Sequence, residues 1–386
     1  MHSIFITLLI LLGVIWTVAV VFRSFGLPTV MGELVGGVIV GPAILGWVEP
    51  TEMIEVLAQM GIFFLMLHAG VETRPREFLS ALRSSLGVAL VGAIVPFSIA
   101  FATGLAFGLS VQSSIFIGLT MTATAVVITI KALQDLGLQD AKFARIIVAS
   151  CVIDDLLTLV LFSIILGVLQ GQAVNAAEIA ITCGKVIVFF ATSLTIGYYI
   201  YPLLKFPFTH ISGKGFTFVL LIALAAGLFA EWIGLHMIIG AYIAGLFFEP
   251  EVAHPALVQK VKDRLYGIAY SFLGPIFFIS LGFHVTFEIF AGEGVWMILV
   301  LTSAVFVGQI LSAGGMALRI ELPPVQAFTV GVGMCGRAEM AFILAALGLQ
   351  YQLLDNDSFT VVIITAFILN LWTVAGLKVC AHVIRV

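Results

Sequence analysis

Two consecutive acids, Asp154 and Asp155, interrupt a long apolar run, Ile146-Ile-Val-Ala-Ser-Cys-Val-Ile-Asp-Asp-Leu-Leu157, more than eight residues from the nearest Lys or Arg in sequence. An ionised carboxylate held at the centre of a bilayer costs about 2.5–3.5 kcal/mol on insertion scales, so acids kept in such surroundings are suspects for function. Adjacent helical residues project about 100° apart, which gives the two carboxyls different surroundings and different roles. Burial and a close second negative charge bring carboxyl titration towards neutral pH. A proton and a metal cation then compete for one oxygen pair, and that competition is the minimum chemistry of an exchanger. The bland alternative is a buried acid paired with a base for stability.

Two further clusters carry polar groups inside apolar runs. Thr120-Met-Thr-Ala-Thr-Ala125 offers hydroxyl and, if the helix unwinds, carbonyl oxygens to a hard cation. Alone it is weak, because membrane threonines commonly bond back to their own helix. Gly331-Val-Gly-Met-Cys-Gly-Arg-Ala-Glu339 places three glycines before an intramembrane Arg337 and Glu339. Arg337 does not deprotonate and needs a partner: Glu339, another acid, or the C-terminal end of a half-helix. A permanent ion pair and direct ion handling are equally open for this cluster. Glu33 and Glu72, near the ends of their runs, read as snorkelling or helix-terminal acids. Glu231 and His236 read as solvated ends, and His68 and Lys185 as satisfied polar groups.

The elements that must position these groups follow from the solvent. The chain is 61% hydrophobic and 10% charged over 386 residues, which suits lipid rather than water. Crossing about 30 Å of hydrocarbon takes about 20 apolar helical residues. Thirteen such runs are visible, at 3–22, 29–48, 54–72, 84–109, 113–133, 143–169, 176–204, 216–234, 235–249, 266–290, 295–318, 324–350 and 358–384. The fold class is therefore an all-α polytopic membrane protein. The first run lacks a basic leader and a cleavage site and is kept as a span. No run is hydrophilic enough for a soluble module, and a net charge of −4 offers nucleic acid no basic face. Cys151, Cys183, Cys335 and Cys380 stand at unrelated spacings, which suits small core residues rather than a disulfide framework or a zinc site.

Charge supports the count. Arg23; Arg74, Arg76 and Arg83; Lys131, Lys142 and Arg145; Lys205 and Lys214; Lys260, Lys262 and Arg264; Arg319; and Lys378 and Arg385 fall at every second joint. Only Lys185 and Arg337 of the seventeen basic residues break the alternation, so the N-terminus is expected outside and the C-terminus in the cytoplasm. Gly118-Leu-Thr-Met121 and Gly331-Val-Gly-Met334 echo each other and point to two broken helices, one in each of two inverted halves. Gly41-Pro42 and Gly274-Pro275 predict kinks.

Taken in order, these segments resemble the monovalent cation:proton antiporter superfamily, specifically its bacterial sodium/proton antiporter and Kef-like branch. The resemblance covers nearly the whole chain. It rests on Gly32-Glu-Leu-Val-Gly-Gly-Val-Ile-Val-Gly-Pro42 with Leu45-Gly46, Gly70-Val-Glu-Thr73, Ala123-Thr-Ala125, Ile153-Asp-Asp155, Gly240-Ala-Tyr-Ile-Ala-Gly245, Pro275-Ile-Phe-Phe278 and Gly331 to Glu339. It implies two crossing broken helices within a core domain, mainly 54–169 and 266–384, beside a dimerisation domain, mainly 1–48 and 176–249. It also implies an elevator-like movement, a homodimer in a bacterial cytoplasmic membrane and no organic cofactor. Asp155 would carry sodium (or lithium or potassium) and the proton, with Asp154 and Thr124 in the site. Ala123, Gln309, Arg337, Glu339 and Glu72 would support it. One departure stands out: paired-aspartate relatives that move net charge carry a lysine where Val307-Gly-Gln-Ile310 places Gln309, and a neutral amide carries no proton. That opens electroneutral exchange or potassium as cargo, unless Gln309 simply bonds Asp154. A C-terminal nucleotide-binding module of the potassium-efflux kind is not in this sequence and is expected only if more chain follows.

Other classes make different demands. A potassium/proton antiporter or a Kef-like efflux channel would share the fold. A passive channel needs no titratable carrier, and an intramembrane aspartyl protease needs two acids on different helices sharing a proton.

Overall fold

Apolar side chains of this density fold in lipid as helices, because only a helix satisfies its own backbone groups there. The computed structural model bears this out. It describes the backbone of all residues except 1, 73–74, 126–127, 130–131, 134–135, 137, 139–140, 171–175, 197–214, 247, 249–254, 293 and 386. Side chains at 2–3, 75–84, 152, 168–170, 176–179, 182–183, 186, 190, 194, 255–258, 291 and 385 also lie outside the description. The joint residues Lys131, Lys205 and Lys214, and the side chains of Arg74, Arg76, Arg83, Cys183 and Arg385, are therefore among the expectations that fall outside it.

Among the described residues the regular structure is helical throughout. The helices are α1 (His2–Ser24), α2 (Thr29–Val40), α3 (Glu52–Glu72), α4 (Pro75–Ala106), α5 (Val111–Thr120), α6 (Lys142–Gln170), α7 (Ala176–Thr195), α8 (Gly215–Ile233), α9 (Met237–Leu246), α10 (Pro255–Ile268), α11 (Gly274–Gly282), α12 (Gly294–Gln309), α13 (Gly315–Arg319), α14 (Pro324–Gly333), α15 (Glu339–Gln350) and α16 (Asn356–Arg385). Every one of the thirteen apolar runs contains helix. Among the described residues eight stretches are long and apolar enough to cross a membrane, and the shorter apolar helices include α2, α5, α9 and α15. Exposed Trp16, Trp232, Leu9 and Leu311 belong on such a surface, since lipid tails are as apolar as these side chains.

The prolines act differently from the expected kinks. Gly41-Pro42 ends α2 at Val40, so the second run is half helix and half loop. Before Pro275 the helix widens into a π turn, Ala269–Leu273, and runs on as α11. Proline cannot donate to the carbonyl four residues back, and the extra residue in the turn accommodates that missing bond. A second π turn, Ile310–Gly314, follows Gln309.

The chain divides into two compact units. One comprises residues 1–17, 50–75 and 159–280. In it α3 lies against α9 where Gly70 meets the Tyr242 carbonyl and Gly245 meets the Leu67 carbonyl; any Cβ at either position would overlap the facing backbone. His68 packs against the stacked rings of Tyr266 and Tyr270. His236 is not the solvated end the sequence suggested: it is largely buried against Phe162, and its Nδ1 accepts the Ile238 N–H at 3.3 Å.

The other unit comprises residues 18–49, 76–158 and 281–386. Phe143, Ile147, Cys151, Val330, Val332, Met334 and Leu377 form part of its apolar core. Gly331 approaches Ile310, where a Cβ would stand 2.8 Å from the Ile310 Cα. Residues 18–49 group with the unit that holds the paired acids because α2 packs on Gly282 and Phe283. Residues 50–75 group with the other unit because α3 packs on α9.

Candidate ion site

Two helices stop short inside this second unit. α5 ends at Thr120, and Met121 closes its last turn on the Ile117 and Leu119 carbonyls. Residues 123–125 are non-helical, and the described residues 128–129 and 132–133 are helical again. α14 ends at Gly333, residues 335–338 are non-helical, and α15 starts at Glu339. Each of the two helices ends two residues beyond the glycine, Gly118 or Gly331, that the sequence had singled out. The breaks meet: the Ala125 N–H donates to the Gly336 carbonyl at 2.9 Å, and the Thr129 hydroxyl donates to the Gly333 carbonyl at 2.8 Å.

Arg337 is fully buried between them. Its Nε donates to Met121 O at 2.9 Å, its Nη1 to Met334 O at 2.8 Å and Gly336 O at 3.0 Å, and its Nη2 to Gln309 Oε1 at 2.8 Å. One guanidinium thus caps the C-terminal ends of both α5 and α14, where the helix dipoles are negative. Of the partners the sequence left open, the half-helix ends are the ones found, and Glu339 is not hydrogen-bonded to it among the described residues. Asn370, in α16, locks the same residue from behind: its Oδ1 accepts the Arg337 N–H at 2.7 Å and its Nδ2 donates to the Arg337 carbonyl at 2.6 Å. Sequence reasoning missed Asn370. Its signal was a lone carboxamide amid an apolar helix, which must find partners.

Gln309 is bonded to Arg337 and not to Asp154; its Nε2 is buried with no hydrogen-bond partner among the described residues. The paired acids divide as their 100° offset requires. Asp154 is fully buried and its Oδ2 accepts the Thr124 hydroxyl at 2.8 Å, while Arg337 acts on it electrostatically. Asp155 is part-buried, and the Oδ1 atoms of both acids are shielded from solvent and without a hydrogen-bond partner among the described residues. Ala123 is buried in the extended segment beside Thr124. The hydroxyls of Thr120 and Thr122 donate to the Ile117 and Gly118 carbonyls, so of the three threonines only Thr124 turns its hydroxyl to an acid.

Glu339 is part-buried at the first position of α15 and acts electrostatically on Asp155. Glu72 ends α3 in the other unit, exposed, with Lys262 Nζ 3.3 Å from its Oε1. Glu33 departs furthest from expectation: instead of snorkelling it is 4% exposed. The group as a whole presents a positioned carboxylate, a free carboxylate, unwound backbone and a fixed cation, which is a set able to exchange one small cation for a proton.

Comparison with known proteins points the same way. Residues 7–379 match the profile of a family described as "Sodium/hydrogen exchanger, transmembrane". The chain is 32% identical over 355 residues to the Na+/H+-K+ antiporter GerN of Bacillus cereus, covering 92% of this chain and 90% of that one. It is 28% identical over 351 residues to a Na+/H+ antiporter of Enterococcus hirae, covering 90% of each. Its fold is similar to that of the solved sodium proton antiporter MjNhaP1 from Methanocaldococcus jannaschii, with a TM-score of 0.78, 97% of each chain covered and 16% identity.

Proposed function

Since the chain belongs to the transmembrane sodium/hydrogen exchanger family, we propose that it is a secondary antiporter in which Asp155 carries a proton and a monovalent cation in turn. Sodium is the favoured cargo, with lithium or potassium as alternatives. The observation that carries this reading is an acid pair with open oxygens: Thr124 fixes Asp154 through Oδ2, while the shielded Oδ1 atoms of Asp154 and Asp155 are left for an ion. A carboxylate so placed needs a counter-charge, and either ion supplies one. Carbonyls of the unwound 123–125 segment and the Thr124 oxygen are the further ligands a hard cation requires. Relatives of this kind are transporters, and both acids here lie on one helix, so neither family nor geometry favours the aspartyl protease.

In this reading residues mainly 54–169 and 266–384 form the ion-carrying core that moves as an elevator. Residues mainly 1–48 and 176–249 are the scaffold of a homodimer in a bacterial cytoplasmic membrane, with the N-terminus outside. The thirteen crossings and the inverted halves belong to the same proposal. Because Gln309 cannot supply a second mobile proton, exchange without net charge movement is the favoured stoichiometry.

The test is transport by the purified chain in liposomes under an imposed proton gradient. Addition of sodium, lithium or potassium should discharge the gradient, and Asp155→Asn should abolish the response. Unchanged exchange by that variant would overturn the assignment. Repeating the assay at clamped membrane potentials measures the charge moved.

A further inference from the structure

Thr158 is buried one helical turn beyond the acid pair, and its hydroxyl has no hydrogen-bond partner among the described residues. Other buried hydroxyls of this chain behave differently. Those of Thr103, Thr122, Ser163 and Thr373 each donate to the carbonyl four residues back, the ordinary habit of Ser and Thr in a helix. For Thr158 that carbonyl belongs to Asp154, and α6 is helical from Lys142 to Gln170, yet the bond is not made. A hydroxyl buried in this way is costly unless something else meets it.

Helical register sets Thr158 between the two acids. Successive residues turn by about 100°, so around the α6 axis Thr158 lies about 40° from Asp154 and about 60° from Asp155. Side chains three and four residues apart are neighbours on a helix surface, and each Cβ leans towards the helix N-terminus. Thr158 therefore leans back over the turn that carries both carboxyls. Cys151, also buried, brackets the pair from the preceding turn. It leans away from the acids and offers a soft sulfur, a poor ligand for a hard cation.

Three oxygens on neighbouring turns of α6 are thus shielded from solvent and unpaired among the described residues: Oδ1 of Asp154, Oδ1 of Asp155 and Oγ1 of Thr158. No hydrogen bond joins them to one another. A hard cation can join them where a hydrogen bond does not. Held at about 2.3–2.6 Å from each ligand, it bridges oxygens up to about 5 Å apart, beyond the roughly 3 Å of an O–H···O bond. Among the described residues no three acids, histidines or cysteines converge to hold a metal, so the set suits a cation of single charge. We propose that the Thr158 hydroxyl is a ligand of the transported cation, acting with the carboxyls of Asp154 and Asp155 from one turn beyond them. This rests on the acid pair as the carrier site.

Sodium that binds the folded chain raises its unfolding temperature once the concentration passes the dissociation constant. Protein in detergent is titrated with sodium chloride at alkaline pH, with choline chloride holding ionic strength constant, and the dissociation constant is read from the rise. Thr158→Val should increase that constant by roughly tenfold. It should leave the unfolding temperature without sodium unchanged or higher, because it removes an unpaired buried hydroxyl. Thr158→Ser should return the constant close to the parent value. A purely structural hydroxyl gives the opposite pattern, with lower stability in the absence of sodium and an unmoved constant. An unmoved constant in Thr158→Val overturns the proposal and leaves the Asp155 assignment standing. Where the valine variant does not fold, Thr158→Ala removes the same oxygen, and an unaltered sodium KM in liposomes is equally fatal. Asp155→Asn separates the two claims. If it keeps the parent constant while Thr158→Val raises it, the carrier assignment falls and the Thr158 ligand stands beside Asp154.

Discussion

Arg337 donates from Nε to the carbonyl of Met121, a residue 216 positions earlier in the chain, while its Nη1 holds the carbonyl of Met334. A single side chain therefore satisfies the ends of two helices that stop in apolar surroundings. Removing it leaves those carbonyls unpaired. Arg337→Met is expected to lower stability by about 3 kcal/mol or more, read as a large loss of thermal stability in detergent. Arg337→Lys should recover only part of it, because an ammonium lacks the planar fork that reaches Met121, Met334 and Gln309 together.

Thr124 is the donor that sets Asp154 apart from Asp155. Thr124→Val keeps the shape and removes the hydroxyl. The expected result is a rise in the sodium KM of roughly tenfold, the equivalent of one hydrogen bond to a charged group. Thr124→Ser should stay close to the parent value. A valine variant with unaltered KM would show that this hydroxyl neither positions Asp154 nor meets the cation.

Gln309 accepts from Arg337 at 2.8 Å. A lysine at that position would set two positive charges against each other in a dry interior. Gln309→Lys is expected to destabilise the protein by a few kcal/mol rather than to create a charge-moving exchanger. Thermal unfolding and transport at clamped potential together check this.

Burial pushes the His236 imidazole down to about 4, and the Ile238 N–H aimed at Nδ1 requires that nitrogen to be unprotonated. A group depressed in the folded state favours folding above its unfolded pKa of about 6.5. That contribution is lost as pH falls from about 6.5 to about 4, where the unfolded chain binds the extra proton. Its full size is about 3 kcal/mol at most. Unfolding temperatures measured across this window should decline in the parent and decline less in His236→Gln.

The fold was legible where lipid left the sequence no choice. All thirteen apolar runs hold helix, and glycine-rich stretches such as Gly331 to Gly336 marked the breaks because small residues permit both unwinding and close approach. Asp154 and Asp155 were visible for the same reason: an acid among Ile, Leu and Val has no local explanation. What failed to show was partner choice. Arg337 meets carbonyls, Gln309 and Asn370 rather than Glu339, and nothing in the spacing of 309, 337 and 370 reveals that two helices and an unwound segment converge there. Glu33 was misread because its position near a helix start looks like a snorkelling acid, whereas its burial depends on Phe22, Gly282 and Phe283 packing around α2.

The bond from the Ala125 N–H to the Gly336 carbonyl joins two stretches that are not helical. Unwound peptide normally trades its amide hydrogens with solvent quickly, yet this amide is released only when both breaks separate at once. The weakest-looking backbone in the protein thus behaves as a clasp. Deuterium uptake at Ala125 would time the parting of the two breaks rather than the fraying of either one.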